Sequence, residues 1–431
     1  MENLSVEKLQ ELGIFEIRNL AREVGVYSPT VLKKQELIEK IMKVINGEEE
    51  PYVKKTKQGR PPKNISSINN LVDVIVPSKI FENKISSNKS YFCDLNESLN
   101  VNIVGTNETN FNSLIKVYNE NEYALAFLNN FKEEKDKVVF ITKSQVEFYK
   151  LKTGDEIRGK YIFVSEDKPF ILKEIYSINN TNFSKNYNRE NNFNTLPAFS
   201  PVNKLKMSVY KINDKIYSSL DLVAPMAKGQ RVLLNSCSFN NSLNYQIVNR
   251  LTTSVNSLKG LAIAIDEMPE YYYELKNNTR LEVLSNNYDQ NSNFKLELEI
   301  KIEKLKRSVE EGEDVILFIN DVNKFKNYLI NLYVLEEKSL ENAKIFATDF
   351  IKNLILLGKF TKNFGSITVV CGTISNNEDV NLFINLFNNI IYYTKSGFEF
   401  VLDFKNCSTY NIENILTKAE LNKLIELTKQ P

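Results

Sequence analysis

Three stretches decide the architecture: LAIAID at 261–266, DVILFIN at 314–320 and SITVVCG at 366–372. Each is a short, nearly continuous apolar run rich in Ile and Val. A strand with one wet face alternates apolar and polar residues, whereas one that is apolar throughout is covered on both faces. RVLLN at 231–235 and FEFVLDF at 398–404 read the same way. The segments between them carry helical spacing, most plainly KLELEIKIEKLKRSVEEG at 295–312. Buried strands alternating with helices predict an α/β domain with a parallel sheet over 181–431, its first twenty residues an Asn-rich connector. No internal repeat is visible.

On the N-terminal side the pattern changes. Within 97–180 the segments VNIVG, SLIKVYN, YALAFL, KVVFIT, GDEIRGKYIFV and PFILKEIYSI alternate apolar with polar residues, with Gly, Asn and Asp between them. Five or six short strands of this kind predict a small β-barrel of OB or cold-shock type. Residues 1–46 show three- and four-residue spacing instead: Leu4, Leu9 and Leu12, then Ile14, Ile17, Leu20, Ala21 and Val24. Gly25 stops that helix, Ser28-Pro29 turns the chain, and Leu37, Ile38, Ile41, Met42 and Ile45 mark a last helix before Asn46-Gly47. The expectation is a helical bundle.

Residues 47–96 read as a linker, with an acidic triplet Glu48–Glu50 followed by the basic stretch Lys54–Lys63. Gly59-Arg60-Pro61 resembles the core of a minor-groove AT-hook, but one copy is a weak signal and a solvated, disordered tether is the favoured reading.

Composition narrows the chemistry. The chain has 431 residues, 42% hydrophobic and 25% charged, as in soluble globular proteins. A net charge of +1 exerts no overall pull on nucleic acid, so any basic footprint is local. There is no His. That excludes Ser-His-Asp and Cys-His nucleophiles, His-ligated zinc and imidazole acid/base catalysis. Cys93, Cys237, Cys371 and Cys407 are far apart, without a C-x-x-C pair, and read as reduced, mostly buried thiols. No signal-peptide pattern opens the sequence and no run of 18 apolar residues occurs, so the expectation is a cytoplasmic protein without a membrane span.

Four stretches together resemble the bacterial transcription termination factor Rho family. LSVEKLQELGIFEIRNLAREVGV is similar to that family's N-terminal helices, and VVFITKSQVEFYKLKTGDEIRGK at 138–160 to the end of its cold-shock domain. LDLVAPMAKGQR at 220–231 resembles the start of its ATPase domain, and IDEMPE at 265–270 its IDERPE. The resemblance implies three parts: an N-terminal helical bundle, an OB/cold-shock barrel and a C-terminal RecA-like α/β domain. It also implies ATP, Mg²⁺ and single-stranded RNA as the family's ligands.

Aligned on that family, the phosphate site is degenerate. A P-loop needs glycines whose N–H groups cradle phosphate, a Lys for the β/γ-phosphates and a Ser/Thr for Mg²⁺. After Gly229-Gln230-Arg231, Asn241 stands at the last glycine, Ser242 at the Lys and Leu243 at the Mg²⁺-binding Thr, and no Lys lies between Lys228 and Lys259. The Walker-B Asp corresponds to Asn320; Asp321, one residue on, would point to the other face of a strand. Glu267 matches the catalytic glutamate, Met268 its neighbouring Arg, Tyr410 the arginine finger and Glu399 the adenine-stacking aromatic. Neither the Q-loop glycines nor the R-loop Lys has a counterpart, at 334–344 and 375–381. No cofactor and no metal is therefore expected.

The RNA platform is half kept. The family's G-F-G-F-L corresponds to Ala124–Leu128, so that one stacking aromatic has become Leu125 while Phe127 remains; Phe140 matches a third, and the Arg after the motif is Asn129. A single strand could stack on Phe127 and Phe140, with Lys143, Lys150, Lys152, Arg158 and Lys160 as backbone charge; alternatively both rings are core.

The expectation is a Rho-like termination-factor homologue that binds single-stranded RNA without hydrolysing ATP, in a regulatory or scaffold role. Two alternatives stand beside it: an active RNA-dependent ATPase and helicase, and a protein-interaction module without nucleic-acid binding. The expected partners are RNA, a homo-oligomeric ring or an authentic Rho subunit, and RNA polymerase.

Overall fold

A computed structural model describes residues 17, 21, 33–45, 108–118, 122–128, 131, 137–163, 169–184, 189, 191–208, 215–237, 242–255, 258–287, 293–336, 338–374, 382–397 and 399–428. Contacts divide the chain into two units, 1–71 and 72–431. The expected linker, the AT-hook-like triplet, the strand VNIVG, Cys93, Asn129, Asn241 and the R-loop equivalent lie outside the described residues.

In the first unit, helix α1 (Lys34–Ile45) buries Leu37, Ile38 and Ile41, the i, i+1, i+4 stripe its spacing calls for. Ile17 and Ala21 are helical and fully buried. The bundle expected over 1–46 is thus described only in part.

The second unit begins with the barrel. Its strands are β1 (Glu108–Tyr118), β2 (Tyr123–Phe127), β3 (Val138–Thr142), β4 (Glu156–Ile162), β5 (Phe170–Ile178) and the short β6 (Thr181–Asn182). They run in the order β3-β2-β1-β4-β5-β6, and a parallel β3–β5 pairing closes five of them into a barrel. Helix α2 (Lys143–Tyr149) lies between β3 and β4. Thr142 and Gln145 form a capping box at its start, so the Ser144-Gln145 motif is helix-initiating chemistry. One residue in two points inward: Ile115, Ala124, Ala126, Val139, Ile141, Ile157, Leu172 and Ile175 fill the barrel.

Beyond the connector the chain forms helix α3 (Lys215–Val223) and then alternates strand and helix. The elements are β7 (Arg231–Ser236), α4 (Ser242–Ser254), β8 (Lys259–Ala264), α5 (Pro269–Asn278), β9 (Leu281–Ser285), α6 (Phe294–Glu310), β10 (Asp314–Asn320), α7 (Val322–Leu335), α8 (Leu340–Leu356), β11 (Lys359–Phe360) and β12 (Ser366–Ile374). Strands β13 (Asn389–Ser396), β14 (Glu399–Leu402) and β15 (Ser408–Thr409) and helix α9 (Lys418–Thr428) complete it. The sheet order is β14-β13-β7-β12-β10-β8-β9. Strands β13, β7, β12, β10, β8 and β9 are mutually parallel. Their continuous apolar runs are buried against helices on both faces, as two separate clusters show.

One strand departs from expectation. The apolar run FEFVLDF predicts another doubly buried strand, but β14 is an antiparallel edge on β13, and Val401 and Phe404 are exposed. A short apolar run does not by itself distinguish a central strand from an edge.

Candidate functional site

In an open parallel sheet, ligands bind beyond the carboxyl ends of the strands. There β7, β10 and β12 end at or near Ser236, Asn320 and Thr373, Glu267 follows β8, and helix α4 is the next described element after β7. Of the residues read as a degenerate nucleotide site, the structure brings Asn320 and Glu267 into one connected network.

Asn320, the last residue of β10, is 1% exposed. Its amide oxygen accepts from Asn244 Nδ2 at 3.0 Å, and its own Nδ2 donates to the Tyr245 hydroxyl. Tyr245 in turn donates to Glu267 Oε2. Tyr393 on β13 donates to Asn244 Oδ1 at 2.8 Å. Two amides, two phenols and a carboxylate therefore hydrogen-bond one another in a buried chain. The network lies flush with β12: a Cβ added to Gly372 would be 1.9 Å from Asn320 Oδ1 and 2.5 Å from Asn244 Nδ2.

The proton order of this chain depends on Asn320. Tyr245 has one hydroxyl proton and gives it to Glu267, so its oxygen must accept from the residue at 320. An amide can donate there and accept from Asn244 at once; an ionised carboxylate only accepts. Burial, reinforced by the Glu267 carboxylate, pushes the Tyr245 phenol far above its ordinary range, so it stays a donor. Its ring stacks on Tyr271, with centroids 4.4 Å apart.

Glu267 is 4% exposed and also accepts from the Met268 N–H at 3.0 Å. Lys324 Nζ, on α7, lies 3.8 Å from Glu267 Oε1 and donates to the Asp266 carbonyl at 3.0 Å. Sequence reading missed this lysine because it belongs to another helix. Asp321 is buried as the N-cap of α7, accepting from the Asn323 N–H at 2.6 Å and the Lys324 N–H at 3.4 Å. Burial raises its carboxyl above the usual range despite those two bonds.

The remaining positions scatter. Ser242 opens α4 and is half-buried. Leu243 is fully buried in the apolar cluster that holds Leu234, Val248 and Phe318. Tyr410 is 69% exposed, its N–H bonded to the Asn388 carbonyl. Glu399 lies exposed on the edge strand β14. Among the described residues no three acidic or cysteine side chains converge as metal ligands.

The barrel's expected RNA residues are all buried: Leu125 at 1%, Phe127 at 6% and Phe140 at 0% exposed. Yet they do not belong to the barrel core. They face outward with Tyr123 and Val138, and Leu296 and Ile300 of α6 pack on them. Of the two readings, exposed rings and buried rings, the structure has the rings buried: the strand period turns them out of the barrel, and a helix of the α/β domain covers them.

The seam is reinforced by charge. Arg189 makes a two-pronged pair with Asp155 at 2.6 and 2.7 Å and reaches Glu310 of α6 at 3.3 Å, with all three side chains almost inaccessible. Lys116 of β1 bonds Glu299 of α6 at 2.8 Å. At Gly154 (φ 85°) a Cβ would lie 2.4 Å from the backbone of Glu303 and Lys304, so the turn before β4 touches α6 directly.

The model of the Rho termination factor N-terminal domain matches residues 8–48. Transcription termination factor Rho of Karelsulcia muelleri is 26% identical over 46% of this chain and 53% of its own. Rho of Borreliella burgdorferi is 28% identical over 43% of this chain and 36% of its own. The chain thus spans about half or less of the curated relatives it matches. An ATP synthase subunit from Nanoarcheaum equitans overlaps 54% of this chain and 64% of its own at 15% identity and a TM-score of 0.42, too distant to decide fold or function.

Proposed function

We propose, from the premise that the chain is a Rho-like protein, that it binds single-stranded RNA and neither hydrolyses ATP nor translocates. One observation carries the second half: the buried chain Asn244–Asn320–Tyr245–Glu267. Phosphoryl transfer is almost entirely positioning and charge neutralisation, and a trans Arg alone is worth about 10³–10⁵ in rate. At the matching positions this chain offers Ser242, an apolar core Leu243, an amide already bonded on both sides and an exposed Tyr410. A magnesium triphosphate does not fit that donor set. Glu267 is a relic whose carboxylate accepts from the Tyr245 phenol.

RNA binding is supported by the match to the Rho N-terminal domain and by the closed five-stranded barrel. In this reading Leu125, Phe127 and Phe140 form the face that meets bases, and the α/β unit is a scaffold that joins copies of itself or an authentic Rho subunit in the cytoplasm, with RNA polymerase as a further partner. Among the described residues no helix is long and apolar enough to cross a membrane. A second reading, a protein-interaction module without nucleic-acid binding, is favoured by the burial of those same three side chains.

Filter binding of the full chain to a single-stranded oligoribonucleotide separates them. RNA binding that weakens as salt rises supports the proposal; no binding at any salt supports the module.

A further inference from the structure

We propose that helix α6 masks the nucleic-acid face of the barrel, so that the helix and a single strand of RNA compete for the same side chains. The inference rests on the RNA-binding reading above and specifies how that site is regulated.

Strand periodicity carries the first step. Tyr123, Leu125 and Phe127 alternate with Ala124 and Ala126, which fill the barrel, so the first set must point out of it. Phe140 lies directly across from Leu125 in the β2–β3 register and shares that outward face. An outward face carrying Tyr123, Phe127 and Phe140 is a surface on which bases can stack. Here it stacks on Leu296 and Ile300 instead.

Helix α6 is built to do this without leaving the sheet. Leu298, Ile302, Leu305 and Val309 anchor it in the α/β core, while Leu296 and Ile300, one turn apart on the other side, meet the barrel. Opening therefore moves the barrel, with α6 staying in place. The polar latch is peripheral to the platform: Arg189 between Asp155 and Glu310, and Lys116 on Glu299. Such pairs fix the docked register, while the apolar contact supplies most of the closing tendency. When the binding-competent state is a minor one, apparent affinity falls by its population. Weakening the contact raises that population and tightens RNA binding.

The test uses the full chain with Ile300→Asp, which puts a charge into the apolar contact, and Arg189→Gln, which loosens the latch while leaving the apolar contact of Leu296 and Ile300 with the barrel intact. Binding to a labelled single-stranded oligoribonucleotide is read by anisotropy, and barrel release by the radius of gyration from X-ray scattering. The expected result is a larger radius and at least about tenfold tighter binding for Ile300→Asp, a smaller gain for Arg189→Gln, and loss of the gain when Phe127→Ala is added. A released barrel that binds RNA no more tightly than the unchanged chain overturns the masking while leaving RNA binding intact. Failure of all variants to bind RNA overturns the RNA reading and the masking with it.

Discussion

Asn320 is the residue on which the buried network turns. Its amide donates to one neighbour and accepts from another, a task no ionised carboxylate performs. Restoring the acid, Asn320→Asp, leaves the Tyr245 oxygen without its donor and sets a second carboxylate close to Glu267. The variant should lose about 1–3 kcal/mol of stability in urea unfolding and gain no ATPase activity. Tyr245→Phe removes the hydroxyl between Asn320 and Glu267 and strands both; a loss of the same order, about 1–3 kcal/mol, is expected in the same measurement. A neutral outcome for both would mean that the network contributes nothing.

Among the elements, the C-terminal helix α9 carries its own pH sensitivity. Burial alone would raise the Glu420 carboxyl, but the Lys204 ammonium at 2.7 Å and the Thr417 groups at the helix start hold it down to about 2. A carboxyl depressed in the folded state stabilises above its unfolded value, near 4.5, and that stabilisation is lost as pH falls toward 2. Hydrogen exchange in α9 should therefore accelerate between about pH 4.5 and 2, and Lys204→Met should flatten the response. Helix α6 shows how far the sequence is legible. Its LELEIKI alternation has the two-residue period of a strand, yet wound as a helix it yields two apolar stripes, Leu298/Ile302 toward the sheet and Leu296/Ile300 toward the barrel. Two stripes signal a helix packed on both sides, which could have revealed the covered platform. The parallel strands were legible because double burial leaves continuous apolar runs. Leu243 and Asn320 were legible because charge was missing where the chemistry needs it. Asn244, Tyr245, Tyr393 and Lys324 were not, since hydrogen-bond partners 22 to 149 residues apart leave no local pattern.

Over the whole molecule, the barrel and the α/β domain belong to one compact unit, residues 72–431. The buried Arg189 joins them through Asp155 and Glu310. Removing one partner of such a group leaves charges uncompensated, so Arg189→Ala should cost about 3–5 kcal/mol and separate one thermal transition into two by calorimetry. At the carboxyl end of the unit's parallel sheet the protein's own amides and phenols form a buried network, and in the proposed reading that network takes the place of a nucleotide's phosphates. Isothermal titration of the full chain with magnesium ATP, with and without single-stranded RNA, addresses this directly. The expected result is no saturable heat up to about 1 mM nucleotide, a binding free energy weaker than about −4 kcal/mol. Magnesium-dependent binding with a dissociation constant near 1 μM, about −8 kcal/mol, would contradict it.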